Sequence, residues 1–227
     1  MKWDALTTKA LAGFTNLLAF MGLALFLPAG TLNFWEAWVW LAVFFLPAAL
    51  ITTFFLKEDP RLIERRLHAG PTAEKRLRQK IIQSMASLFF LLLVLVPAFD
   101  HRFHWSHVPA ALALLADAGV LTGLVMVFFV FRENSFTPAV IEVSAGQRVI
   151  STGPYAAVRH PMYAGGLLLI AFTPVALGSW WGSLCVPPMF LVIVLRLLDE
   201  ERFLVGSLPE YEGYIRKVRY RLIPGVW

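Results

Sequence analysis

A single cysteine, Cys185, leaves no partner for an intrachain disulfide and too few thiols for a cysteine-based metal site. It sits inside an apolar stretch, where a small buried residue is the ordinary role. Charge is also scarce. Only 15% of the 227 residues are Asp, Glu, Lys or Arg, whereas 58% are hydrophobic. Soluble domains carry about 25% charged and about 45–50% apolar residues, so this chain has surplus apolar surface that only lipid accommodates simply. A repeat, a low-complexity tract and a cleavable leader pattern are lacking too. The first apolar stretch is long enough to span and has no small-residue cleavage site behind it.

What charge there is leans positive, with a net +5 and a pI near 9.6. That balance does not point to nucleic acid. The basic residues flank apolar runs and form no aromatic-interleaved patch on a polar domain. Attraction to anionic lipid and anchoring of spans account for them.

A helix needs about 20 apolar residues to cross the hydrocarbon core. Apolar runs occur at 10–28, 34–56, 81–99 and 108–131, followed by shorter ones at 161–177 and 184–198. Gly178-Ser179 and the pair Trp180-Trp181 separate the last two, which predicts a tight helical hairpin over 161–198. The expected fold is all-α. It is a polytopic bundle of four full spans plus a C-terminal hairpin, with a cytosolic pocket. Residues 1–131 form the first four helices with a basic linker at 57–80. Residues 132–227 form a second region of loop, hairpin and amphipathic tail.

Placing both termini and both long polar segments in the cytosol puts every Lys and Arg there except Arg102, out of 20. Lys2 and Lys9 begin that set. A bias this strong fixes the orientation and an even number of crossings. It also brings the segment 132–160 and the C-terminal tail to the same side. The linker reads as a solvated anchor with an amphipathic piece near 61–68. The spans hold almost no ionisable residue; Glu36 and Asp117 are the main candidates, and Glu36 lies near a helix end. The spacing of His101, His104 and His107 resembles a ligand set, but a solvated loop explains it, and no metal site is expected.

Three segments carry candidate chemistry. In Thr152-Gly153-Pro154-Tyr155 and Arg159-His160-Pro161-Met162-Tyr163-Ala164-Gly165, Gly-Pro sets a turn. Pro161 opens a helix whose free N–H groups suit an anion, with Arg159 beside it. Tyr163 follows His160 by one helical turn, and Gly165-Gly166 permit close approach. Asp199-Glu200-Glu201 sit where the last apolar run ends, either as a solvated stop or as acceptors for hydroxyls or an ammonium group. Residues 209–224 place Tyr211, Tyr214 and Val218 on one stripe, with Arg219 and Arg221 free to fork onto an anion.

Taken in this order, Gly153-Pro154-Tyr155, Arg159-His160-Pro161-Met162-Tyr163-Ala164-Gly165, Glu200-Glu201 and Tyr211, Tyr214, Arg221, Pro224 resemble the isoprenylcysteine carboxyl methyltransferases and their phospholipid-methyltransferase relatives. The resemblance covers roughly the last 85 residues. It implies an integral membrane methyltransferase that moves the methyl group of S-adenosylmethionine to a lipophilic acceptor entering from the bilayer. It implies cofactor contacts at Gly153, Tyr155, Arg159, His160, Tyr163, Glu200 and Glu201, and a role for Glu210, Arg219 and Arg221 in orienting the acceptor. The family tail reads Val-x-Arg-x-x-Pro. Here Val218 to Pro224 holds one extra residue, so Arg219 and Arg221 both remain candidates. A membrane reductase of the sterol-reductase type, using NADPH, is the alternative from another class. A phospholipid amine or a small thiol as acceptor is the alternative within this one.

Overall fold

The computed structural model describes residues 3–137, 139–143 and 146–227; Lys2 lies outside them. They form helices α1 (Trp3–Ala29), α2 (Trp35–Glu58), α3 (Pro60–Leu67), α4 (Leu77–Phe103), α5 (Ala110–Glu133), α6 (Pro154–Ala157), α7 (Pro161–Ala176), α8 (Val186–Ser207) and α9 (Tyr211–Lys217), with no strand among the described residues. A tight 3-10 turn, Trp181–Cys185, leads into α8. The fold is all-α and polytopic. Five helices are long and apolar enough to cross a membrane, including the continuous stretch Trp181–Ser207. Helix α7 has 16 residues, about 24 Å at 1.5 Å per residue, and is the short arm of the hairpin.

Two apolar clusters mark the ends of the bundle. Leu6, Ala10, Phe55, Leu56, Leu62, Ile63 and Phe131 join α1, α2, α3 and α5 at one end. Toward the other, Ala29, Phe34, Ala98 and Leu177 belong to the main core. At that far end Asp100 is buried and accepts from Ser106 N at 2.7 Å, Ser106 Oγ at 2.6 Å and Ser179 Oγ. These bonds tie the α4–α5 loop to the hairpin turn. The reading of His101, His104 and His107 as one solvated loop is thereby corrected at its start. Helix α4 continues to Phe103, because Asp100 finds buried partners and His101 stacks on Phe34 at 4.0 Å. No group of metal-ligating residues occurs among the described residues.

Inside the bundle, α5 and α7 approach closely through small residues. A Cβ on Gly123 would lie 2.8 Å from the Gly165 carbonyl oxygen, a backbone atom that cannot step aside. Substituting Gly123 by Leu is expected to lower the unfolding midpoint in detergent by at least about 5 °C, as overpacking forces the helices apart. Gly22, which has open space around it, should accept Ala with little change. Asp117 of α5 is buried, and neither carboxylate oxygen has a hydrogen-bond partner among the described residues.

Helix α8 does not stop at Leu198. It carries Asp199, Glu200 and Glu201 within its length and ends at Ser207. The carboxylates are tolerated there because each is met by side chains of other elements. Asp199 pairs with Arg76 at 3.6 Å and Arg78 at 3.4 Å and accepts from Gln79. One turn earlier, Arg196 pairs with Glu74 at 2.8 Å and donates to Gln79 Oε1 at 3.0 Å. Glu74 and Gln79 are buried, so the end of the 57–80 linker packs onto α8 and is no mere solvated anchor.

Candidate active site

The site is assembled where α7 begins. Gly153 has φ +54°, and a Cβ there would meet the Glu133 side chain at 2.6 Å, so glycine is required at this turn. Thr152 Oγ1 donates to the same Glu133. Pro154 opens α6, and Pro161 opens α7 with His160 at its N-cap. These turns point Tyr155, Arg159, His160 and Tyr163 toward one place.

Glu201 is the hub of that place. Its Oε1 accepts from Arg159 Nε at 2.7 Å and lies 3.1 Å from His160 Nε2. Its Oε2 accepts from Arg221 Nε at 2.9 Å. Arg159 and His160 are each 5% exposed and Glu201 6%, so the cluster is shut off from water. Arg159 also donates through Nη1 to the carbonyls of Val218 at 2.9 Å and Arg219 at 2.7 Å. The main chain repeats the join: Arg159 N donates to Tyr220 O, and His160 N to Arg221 O, both at 2.9 Å. Three segments remote in sequence therefore meet around one carboxylate.

The tail helix α9 seals this side. Tyr211, Tyr214 and Val218 pack with Val149, Tyr155, Leu204 and Leu208. Tyr214 Oη donates to the Tyr155 carbonyl at 2.8 Å. Burial raises the pKa of Tyr155, Tyr211 and Tyr214 above the ordinary phenol value, which keeps all three as neutral donors.

Beside the hub lies a cavity of about 570 Å³. Its polar end is lined by Arg66, Tyr155, His160, Tyr163, Arg196 and Glu200. Its deeper wall is apolar, with Leu124, Val127, Leu169, Met189 and Ile193. Tyr163 Oη donates to Glu200 Oε2 at 2.5 Å. Glu200 forms no ion pair among the described residues, unlike its neighbours Asp199 and Glu201. Tyr211 also lines the cavity, and its buried hydroxyl has no partner among the described residues.

Residues 112–209, running from α5 through α8 and into the segment before α9, match the family model described as phospholipid methyltransferase. This part of the chain is similar to that family. No curated protein matches the chain. The family is one of membrane methyltransferases, and its matched segment holds Tyr155, Arg159, His160, Tyr163, Glu200 and Glu201. In this chain, Tyr155, Arg159, His160, Tyr163 and Glu200 line the cavity, whereas Gly153 shapes the turn behind it. Glu210 and Arg219 are exposed, and Arg221 is half-buried against Glu201; none of the three lines the cavity. Arg66, Glu74, Gln79 and Arg196 escaped the sequence reading. Arg196 alone left a signal there, as a lone charge among apolar neighbours.

Proposed function

We propose that this chain transfers the methyl group of S-adenosylmethionine to a lipophilic acceptor, in the manner of the isoprenylcysteine carboxyl methyltransferases. The observation that carries this reading is one cavity with a polar end and an apolar end, inside a segment of methyltransferase family. The polar end suits the cofactor. Glu200, which forms no ion pair among the described residues, offers acceptors to an ammonium group. Tyr211 offers an unused hydroxyl, and His160 and Tyr163 supply flat faces 5.7 Å apart beside it. The apolar end suits an alkyl or isoprenyl chain arriving between helices.

When bound, S-adenosylmethionine supplies an electrophilic methyl group on a sulfonium. The chain itself does the positioning. Arg159 and His160, locked by Glu201, hold the start of α7 in place. Tyr163 is held by Glu200, and the apolar wall excludes water from the reacting end. An acceptor carboxylate is already ionised at neutral pH and needs no base. A thiol or amine needs its proton removed, and His160 is the group in the cavity able to take it. The cytosolic orientation follows from the basic residues around the site end of the bundle.

S-Adenosylhomocysteine is expected to raise the unfolding midpoint of the purified protein, whereas NADPH leaves it unchanged. A shift with NADPH alone would favour the reductase. Mass spectrometry of cell lipids incubated with protein and cofactor should then reveal a species heavier by one methylene.

A further inference from the structure

The cavity wall carries more cation than anion. Arg66, Arg148, Arg159 and Arg196 stand against Glu142 and Glu200. Most of these have partners elsewhere: Arg159 has Glu201, Arg196 has Glu74, and Glu142 has Lys75 at 3.2 Å. Arg148 is exposed and solvated. Arg66 is the exception. Among the described residues no carboxylate or carbonyl accepts from it, and its only close partner is the Phe131 ring, 5.2 Å from its guanidinium carbon.

The position of Arg66 is not accidental. Helix α3 is capped by Asp59, whose carboxylate accepts from Leu62 N at 3.2 Å. Leu62 and Ile63 are buried in the cluster with Phe55 and Phe131. The neighbouring Arg65 donates to Ser135 O at 2.6 Å. The backbone beneath Arg66 is thus fixed, and its side chain is aimed into the cavity. Burial lowers its pKa first of all, and Arg196 pushes in the same direction against the opposing Tyr163 and Tyr155. A guanidinium nonetheless stays protonated in a protein. A lodged cation beside a second cation, with no counter-ion among the described residues, is an unfavourable arrangement that an anion relieves.

We propose that Arg66 is the anion receptor of this cavity, forking onto a carboxylate or phosphate oxygen pair of a bound ligand. The proposal rests on the methyltransferase reading, which supplies two sources of such an anion. One is the carboxylate of the cofactor's amino-acid portion. The other is an anionic head group on the acceptor.

Two matched pairs of probes separate these sources, titrated calorimetrically into the full-length protein in phosphatidylcholine nanodiscs. The first pair is S-adenosylhomocysteine and 5′-methylthioadenosine, which lacks the amino-acid portion. The second is N-acetyl-S-farnesylcysteine and its methyl ester. Arg66→Gln is expected to weaken the carboxylate-bearing member of one pair by about 10- to 100-fold, the loss of a hydrogen bond to a charged group, while its carboxylate-free counterpart binds as before. The pair that responds identifies the source, and Arg66→Lys should recover part of the loss. A damaged fold would weaken both members together, so the ratio within a pair is the readout. An unchanged ratio in both pairs overturns the assignment of Arg66 and leaves the methyltransferase reading standing. Failure of the unaltered protein to bind either nucleoside probe overturns both.

Discussion

Replacing Glu201 by Ala is expected to abolish methyl transfer and to lower the unfolding midpoint by on the order of 10 °C, the largest stability effect of any single side chain at the site. The reason is geometric. One carboxylate neutralises buried Arg159 and half-buried Arg221 and orients His160. Removing it leaves Arg159 buried at 5% exposure with only carbonyl partners. Breaking a buried pair by deleting one member costs about 3–5 kcal/mol, since the other charge is stranded away from water. The damage should be local at first. Arg221 would release the tail, and α9 would lose its fix on the start of α7. Limited proteolysis should therefore cut E201A within 208–227 under conditions that leave the parent intact. A variant as stable and as protease-resistant as the parent would show that the cluster is not what holds the tail. Arg221→Ala should be milder, because Arg159 and His160 keep their acceptor.

Glu200 is expected to behave in the opposite way, although it is the adjacent residue. Glu200→Gln should weaken S-adenosylhomocysteine by about 10- to 100-fold, as one charge-assisted bond is lost, and leave the unfolding midpoint within about 2 °C. Its amide oxygen can still accept from Tyr163 Oη, so the wall of the cavity keeps its shape. What disappears is a negative charge facing the cavity that forms no ion pair among the described residues. Calorimetry with the cofactor product measures the first effect and a thermal melt the second. Undiminished affinity in E200Q would remove Glu200 from the cofactor's contacts. The contrast between neighbours follows from the helix. A step of 100° turns Glu201 toward α7 and the tail and Glu200 toward the cavity.

The bundle was legible from sequence because lipid imposes a strong, one-dimensional signal: runs of apolar residues of nearly fixed length, with basic residues between them. The start of α7 was legible for another reason. Gly153-Pro154 and His160-Pro161 are local instructions, each fixing a turn or a helix start without help from distant residues. The end of α8 was misjudged because polarity alone signals a helix stop. Here Arg76, Arg78 and Gln79 satisfy Asp199, and Arg159, His160 and Arg221 satisfy Glu201, so the helix continues to Ser207. No local pattern announces partners that far away. Arg66 was hidden similarly, as one basic residue in a run of them; only the packing of Leu62 and Ile63 decides which cation of α3 faces inward. The tail left two arginines open. The structure separates them, with Arg221 joined to Glu201 and Arg219 exposed.

The bonds from Arg159 and His160 to residues 218–221 span some sixty positions of chain, and every helix of the bundle precedes the tail. During synthesis all the spanning helices leave the ribosome before the segment that braces the cavity does. Until that segment joins it, the pocket lacks one wall. Closure of the cavity therefore depends on residues translated after the helices that surround it.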